Sequence, residues 1–474
     1  MSSSPITVPT LSSASTMSTQ STALFASFSA RPVIVCARWV APTPHELIRE
    51  GGVLCRADRV VAVGRADGMD AAGAQRIDLG DALILPGFVN AHTHLELSAL
   101  AGRLAPTCDF PGWICSLRAH VTRWSLDELR ASILRGVREI AAAGVTGIGN
   151  ITARPETDAA LFVGHSRATD DYAFCDSGGR RIHWRCFCEL LGLREEEAEG
   201  LLEKTLLRQS LIDSFWPRAA FGLAPHAPYS VSPKLLRRCF EVADAKQIAI
   251  TIHAAETREE ERFCLLGDGA LFDMVREFGA LPDEWRPPRK RPLEYLAEMG
   301  LGRSPALVAH ANYANDDEIR WMAAHDISVA FCPTSHQFFD HAPYPLRQML
   351  AAGVNVCVAT DSLASSTTLD PLEAVRLAAP LCPELPAADW IAMITTNAAR
   401  ALNMKCEIAP SYEPRRLDSL DHGEGSQSRS SGENPGRNAG AGFNVFSLER
   451  SCNHPLDALL RGDARLLSPE SWQT

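Results

Sequence analysis

The chain has 474 residues, of which 46% are hydrophobic and 22% charged, so it can bury a large core and is neither fibrous nor broadly disordered. Its net charge of -11, with lysines and arginines scattered, argues against nucleic-acid and membrane partners and favours a small-molecule substrate. No apolar run is long enough to predict a membrane-spanning helix. The 14 cysteines lack a disulfide spacing pattern, which predicts a reducing, cytoplasmic environment.

Composition divides the chain into five segments. Residues 1–30 are rich in serine and threonine and predict a disordered tail, whereas the short alternating apolar runs of 31–83 predict the first part of a small β-sandwich. Residues 84–404 contain the repeating pattern described next. A charged, Gly/Ser/Pro-rich stretch at 405–440 predicts a low-complexity loop, and 441–474 would return as the second part of the sandwich.

Apolar, strand-like runs alternate with helical segments eight times between residues 84 and 404. Several helices have readable starts: Ser125 with Glu128 forms a capping box, and Ser232 and Asn315 are N-cap candidates. This alternation predicts an α/β fold, a (β/α)₈ TIM barrel with a small composite β-sandwich formed by the two chain ends. The predicted strands are "ALILPGFVNAH", "GVTGIGNIT", "WRCFCELLG", "AAFGLAPH", "IAITIHAAE", "PALVAHAN", "ISVAFCPTS" and "VNVCVATDS".

Metal-competent side chains stand at the ends of these runs. His92 and His94 are two residues apart at the end of the first strand, so their imidazoles point the same way. His253 and Asp361 end the fifth and eighth strands, and the carboxyl ends of barrel strands meet at the active-site face. Three imidazoles and a carboxylate suit Zn²⁺ or Fe²⁺, and such an ion lowers the pKa of water toward about 7.

Other polar residues near these strand ends are candidates for catalysis and substrate binding. Glu256 lies three residues beyond His253 and is the candidate proton shuttle, while His310 could polarise the attacking water. Asp361 could accept a proton as well as bind metal. His226, His336 and Trp113 are candidate substrate contacts, and for these, as for His310, packing in the core is the alternative interpretation.

Two further acidic residues follow Glu256 closely. Thr257 and Glu260 have the spacing of a capping box, which assigns Glu260 to the start of the next helix. Glu259 and Glu260 are therefore left out of the predicted site. The connections at 153–183 and 257–304 are longer than a crossover requires and are expected to shape a substrate pocket.

The motifs "PGFVNAHTH", "HAPYSVSP", "HAAET", "HANY", "CPTSH" and "TDSLASS" occur in this order across roughly residues 32–404. Together they resemble the amidohydrolase superfamily, in the branch of cytosine, guanine and S-adenosylhomocysteine deaminases and triazine hydrolases, near aminodeoxyfutalosine deaminase-like proteins. The resemblance implies Glu256 as acid/base, His310 beside the water, and a sandwich built from both chain ends. The metal ligands that it implies are His92, His94, His253 and Asp361.

Two-metal members of that superfamily carry a carboxylated lysine on the fourth strand. The corresponding "AAFGLAPH" contains no lysine, so the resemblance favours one divalent ion, with Zn²⁺ expected and Fe²⁺ as the alternative. The resemblance implies hydrolytic deamination of an amino-substituted N-heterocycle such as a purine, pyrimidine or nucleoside-like compound. Hydrolysis of a cyclic amide or of a chloro- or alkylamino-triazine is the alternative, and a non-catalytic metal-binding barrel is the third. Related enzymes also suggest a homo-oligomer.

Overall fold

The structure is a computed structural model that describes residues 31–56, 59–155, 157, 173–175, 181–213, 221–404, 443–449 and 451–467. The tail and the low-complexity loop predicted at 1–30 and 405–440 lie outside the described residues, as does most of the connection at 153–183. Among the described residues, no helix combines the length and the apolar character that crossing a bilayer requires.

Eight parallel strands form a nearly closed barrel, and the fold predicted from the alternating pattern is confirmed. Strand interiors are buried on both faces, which accounts for their nearly continuous apolar sequences. One short strand, β8 (Ala173–Cys175), pairs antiparallel with the barrel strand that begins at Arg181. The barrel strands are β6 (Phe88–Thr93), β7 (Val145–Thr152), β9 (Arg181–Leu190), β10 (Phe221–Pro225), β11 (Ala249–Ala254), β12 (Ala306–His310), β13 (Ile327–Phe331) and β14 (Asn355–Val358).

Side chains join the first and last barrel strands where no regular ladder does. The Asn90 amide donates to Thr360 Oγ1 over 2.7 Å and accepts from the Thr360 backbone N–H over 3.2 Å. The backbone N–H of Asp361 also donates to the carbonyl of His92 over 3.1 Å. These bonds hold two predicted metal ligands, from opposite ends of the barrel sequence, side by side.

Helices surround the barrel, and the three predicted N-caps are confirmed. Ser125 and Glu128 form a reciprocal capping box, Asn315 forms another with Glu318, and Ser232 accepts the backbone N–H of Leu235. The helices are α1 (Phe110–Val121), α2 (Leu126–Ala142), α3 (Ala198–Asp213), α4 (Pro233–Lys246), α5 (Arg258–Leu266), α6 (Ala270–Glu277), α7 (Pro292–Met299), α8 (Asp316–Ala324), α9 (Pro333–Phe338), α10 (Leu346–Ala352), α11 (Pro371–Ala378), α12 (Ala387–Met393), α13 (Thr396–Ala401) and α14 (Pro455–Arg461).

The two chain ends build one seven-stranded sheet beside the barrel, so the predicted composite of both ends is confirmed. Its strands are β1 (Val33–Thr43), β2 (Glu46–Arg56), β3 (Arg59–Arg65), β4 (Gln75–Asp78), β5 (Ala82–Pro86), β15 (Phe443–Ser447) and β16 (Arg465–Leu466). Their order in the sheet is β16-β15-β5-β1-β2-β3, with β4 pairing with β1. The C-terminal strand β15 pairs antiparallel with β5, which makes the sheet depend on both ends.

The run "ALILPGFVNAH", predicted as one strand, is two strands that belong to different sheets. β5 lies in the end sheet and β6 in the barrel, with Gly87 between them. A Cβ at Gly87 would come within 2.0 Å of Thr146 Oγ1, so only glycine permits the backbone at this position to lie so close to Thr146. The predicted domain boundary at residue 84 therefore falls inside β5.

Candidate active site

The four predicted metal ligands lie together at the carboxyl end of the barrel. His92 lies on β6 one residue before its end, His94 directly follows β6, His253 lies on β11, and Asp361 comes three residues after β14. The Nε2 atoms of His94 and His253 are 3.3 Å apart, and Asp361 Oδ1 lies 3.6 Å from His92 Nε2 and 3.8 Å from His94 Nε2. Such close donor atoms from three parts of the chain are spaced to share one ion.

The protonation states of these side chains suit a cation. His92 is 1% exposed, and neither of its ring nitrogens has a hydrogen-bond partner among the described residues. Burial and the proximity of His92 lower the pKa of His94 to about 3, and burial likewise lowers the pKa of His253 well below its usual range. Burial alone would raise the pKa of Asp361, but the surrounding imidazoles, His92 foremost, lower it well below its ordinary value. Neutral imidazoles, as at His94 and His253, and an ionised carboxylate, as at Asp361, are the forms that bind a divalent metal.

Hydrogen bonds behind the ligands fix their orientation. His253 Nδ1 donates to the carbonyl of His226 over 3.0 Å, which leaves the Nε2 lone pair pointing at the cluster. Ser335 and Ser365 each donate a hydroxyl to Asp361 Oδ2 over 2.9 Å, so that Oδ1 faces the histidines. The sequence analysis did not single out these two serines. Their only signal was the presence of hydroxyl groups inside the "CPTSH" and "TDSLASS" motifs.

Glu256 and His310 face each other beside the ligand cluster. His310 Nε2 lies 3.5 Å from Glu256 Oε1, and both side chains are buried. Burial, followed by the charges of Asp361 and Glu260, raises the pKa of Glu256 well above its ordinary value. Burial lowers the pKa of His310 to about 3, although Asp361 opposes that shift. A buried carboxyl whose pKa is raised, next to an imidazole whose pKa is lowered, is suited to deliver a proton without carrying charge into the site.

Three residues at or just beyond the same strand ends have strained backbone conformations. Ala255, His310 and Asp361 have φ values of +50°, +71° and +60°, in the left-handed region that non-glycine residues seldom adopt. Such conformations persist where the surrounding contacts hold them, which is common at functional sites. No sequence pattern indicated this strain.

A cavity of about 650 Å³ opens above these residues. Trp113 and His226, two of the predicted substrate contacts, line it. The Trp113 indole donates to the carbonyl of Ala364 over 3.4 Å and stacks on Phe110, while His226 Nδ1 lies 2.6 Å from Ser230 Oγ. Helices α1 and α6 supply much of the apolar wall, so the long connection after β11 shapes the pocket as the sequence indicated.

His336, the third predicted substrate contact, is not brought to the cavity. It lies on α9, which begins two residues after β13, and its Nε2 is 2.9 Å from the carbonyl oxygen of Ala342. Its ring packs edge-on against Phe331 and Tyr344. The short helix therefore turns this histidine toward the 342 loop and away from the ligand cluster.

Two cavity-lining carboxyls were missed by the sequence analysis. Glu96 Oε2 accepts the hydroxyl of Thr152 over 3.1 Å, and Glu189, at the end of β9, lines the same cavity. Burial, and secondarily the nearby Glu96, raises the pKa of Glu189 to about 8. Glu189 lies outside the quoted motifs, and its position near the end of the predicted strand "WRCFCELLG" was the signal that could have found it.

The fold and this arrangement define a metal-dependent hydrolase of the (β/α)₈ barrel class, in which a buried acid and a metal-ligand cluster share one cavity. The family model described as "Amidohydrolase family" matches residues 83–413. The chain belongs to the amidohydrolase family and is an enzyme that acts on carbon–nitrogen bonds.

Relatives and solved structures agree with this assignment. The chain is 28% identical over 379 residues to 5-methylthioadenosine/S-adenosylhomocysteine deaminase from Bacillus cereus strain AH820, covering 76% of this chain and 78% of the relative. Its fold is similar to that of an adenosine deaminase from Xanthomonas campestris with bound zinc (TM-score 0.67, 21% identity, 92% and 91% coverage). It is also similar to the aminofutalosine deaminase from Helicobacter pylori (TM-score 0.68, 20% identity, 90% and 95% coverage).

A third similar structure is a variant of atrazine chlorohydrolase from Arthrobacter aurescens TC1, complexed with zinc and atraton (TM-score 0.65, 16% identity, 90% and 91% coverage). At these identities the structural likeness establishes the fold alone. The resemblance named from the motifs is confirmed, and the choice among reactions rests on the site.

Proposed function

We propose that this protein catalyses the hydrolytic deamination of an amino-substituted N-heterocycle of nucleoside size. The observation that carries the proposal is the buried Glu256 carboxyl, whose Oε1 lies 3.5 Å from His310 Nε2 beside the ligand cluster and whose pKa is raised by burial. Deamination requires a proton on a ring nitrogen and another on the departing amine, and a buried acid with a raised pKa supplies both roles in turn.

We assign the metal site to His92, His94, His253 and Asp361, and propose one ion, with Zn²⁺ preferred over Fe²⁺. A bound divalent ion would supply a nucleophile by lowering the pKa of water. β10 carries no lysine that could bridge a second ion, which supports one metal. The zinc in two structures of similar fold supports its identity.

The chain's own residues then divide the proton transfers. The Glu256 carboxyl gives its proton to the ring nitrogen next to the carbon under attack. Of the two protons of the consumed water, one passes through Asp361 and Glu256 to the leaving amine, and the other restores the Glu256 carboxyl. The ionised Asp361 accepts a proton from water, and the neutral His310 holds the attacking oxygen by a hydrogen bond. The reaction consumes water and the amine and yields the ring carbonyl and ammonia, so no redox partner is needed.

The cavity favours a substrate larger than a free base. About 650 Å³ lies within the range of pockets that hold drug-sized ligands, and the walls combine carboxyls with aromatic and aliphatic groups. This space, together with the 5-methylthioadenosine/S-adenosylhomocysteine deaminase relative, supports a nucleoside that carries an apolar substituent. Trp113 and His226 would contact it, and Glu189 would face its polar groups.

The test is ammonia release by metal-assayed protein from adenine, guanine and cytosine, their nucleosides and the thioether analogues. Glu256→Gln should lower the rate of release roughly 100- to 10,000-fold while the protein keeps its metal, and Glu259→Gln, in the first turn of α5 and outside the cavity, should behave as wild type. Release at or near the wild-type rate in Glu256→Gln would refute the assigned role. If the metal-loaded protein releases no ammonia from any of these compounds, the deaminase proposal is refuted in favour of a cyclic amide or triazine substrate.

A further inference from the structure

The loop that carries Glu256 is held at both of its peptide groups by side chains outside the ligand cluster. The backbone N–H of Glu256 donates to Glu260 Oε2 over 2.7 Å, and the backbone carbonyl of Glu256 accepts from Asn312 Nδ2 over 3.0 Å. Glu260 is 1% exposed and Asn312 is 4% exposed, so water does not compete for either bond.

The Glu260 contact differs from an ordinary capping box. Thr257 accepts the backbone N–H of Glu260, as the sequence predicted, over 3.0 Å. In a capping box the N3 carboxylate bonds back to the N-cap N–H, whereas Glu260 reaches one residue further to Glu256. The side chain that the sequence assigned to helix capping therefore acts on the proposed proton carrier.

Neighbouring contacts restrict the loop whose Glu256 backbone is bonded to Glu260 and Asn312. Ala255 has a φ of +50°, and its carbonyl accepts the backbone N–H of Tyr313 over 2.9 Å. Arg291 donates to the carbonyl of Tyr313 over 2.7 Å and is also paired with Glu261 on the first turn of α5. The 255–257 loop is thereby fixed to the 311–313 loop, which directly follows His310 at the end of β12.

We infer that Glu260 and Asn312 are positioning residues that hold the Glu256 backbone so that its carboxyl faces His310 and the ligand cluster. This inference rests on the proposed function, since it assigns Glu256 the proton transfers. A carboxyl on a loop with a strained residue has several rotamers and backbone states available, and the two hydrogen bonds select one of them.

The first experiment compares Glu260→Ala, Glu260→Gln and the matched control Glu259→Ala in steady-state kinetics. Glu260→Ala is expected to lower kcat roughly tenfold or more with little change in KM and in metal content. The reason is that a displaced acid stabilises the transition state less well but does not alter the binding of the substrate. Glu260→Gln keeps an oxygen acceptor for the Glu256 N–H and should recover most of the activity. Glu259→Ala should match wild type.

The second experiment separates positioning from simple stabilisation. In a Glu256→Gln background, adding Glu260→Ala should lower the residual rate no further, because the residue acts through the group already removed. An equal loss in both backgrounds, a loss that tracks the unfolded or metal-free fraction, or a failure of glutamine to rescue would each overturn the inference. Inactivity of the wild type on the whole panel would instead refute the proposed function itself, and this inference with it.

Discussion

The hydroxyls behind Asp361 allow a prediction about metal affinity that does not depend on the substrate. Ser335 and Ser365 each donate to Asp361 Oδ2 over 2.9 Å, and their own hydroxyl oxygens lie 3.2 Å apart. Removing a group that hydrogen-bonds to a metal-binding side chain typically lowers the metal affinity 10- to 100-fold. Because one serine remains to orient the carboxylate, Ser335→Ala is expected at the lower end, about tenfold or 1.4 kcal/mol.

The double substitution removes both donors from Oδ2 and should reach about 100-fold, or roughly 2.8 kcal/mol. The assay is competition between the apoprotein and a zinc chelator of known affinity, followed by metal content after dialysis. Ser366→Ala is the matched control, since this buried hydroxyl donates to the carbonyl of Thr368 and not to Asp361. A zinc affinity unchanged in the double variant, or reduced equally by Ser366→Ala, would refute the reasoning.

Three further predictions concern stability and the cavity. Asn90→Ala removes both side-chain hydrogen bonds that join the first barrel strand to Thr360, and it leaves the buried Thr360 N–H without its partner. We therefore expect the free energy of unfolding in urea to fall by about 2–4 kcal/mol. A fall of less than about 0.5 kcal/mol would contradict a role for these bonds in closing the barrel. Burial raises the pKa of Glu189 from its ordinary value of 4.5 to about 8, so the folded chain retains a proton that the unfolded chain releases, and stability should fall as pH rises through that window. Glu189→Gln should reduce the slope of the free energy of unfolding against pH by at most about 1.4 kcal/mol per pH unit, whereas Glu196→Gln, at an exposed position, should leave the slope unchanged. If Glu189→Gln and wild type have the same slope, Glu189 does not contribute to the pH dependence. Trp113→Ala enlarges the cavity wall and should raise KM more than it lowers kcat for a thioether nucleoside, and an unchanged KM would remove Trp113 from the substrate contacts.

The sequence by itself was sufficient for the barrel and for the set of metal-ligand candidates. Strand and helix periods repeat eight times, and the carboxyl ends of barrel strands converge on one face whatever the loops do. His92, His94, His253 and Asp361 could therefore be grouped from their positions at strand ends alone. The side-chain period of two in a strand explains why the His92 and His94 imidazoles point the same way.

The tertiary structure decided which other polar groups meet these ligands. Ser335 lies on a helix, and no local pattern indicated that its hydroxyl would meet Asp361. Glu189 lies near a strand end, but no motif distinguished it from the other residues of that strand. Glu260 satisfied a local capping rule, and that rule cannot report that its carboxylate extends one residue further to Glu256. His336 shows the opposite case, because a helix beginning immediately after β13 turned its ring away from the cavity. Local patterns specify which face of an element is buried, but only packing between elements determines which polar atoms come within hydrogen-bonding distance.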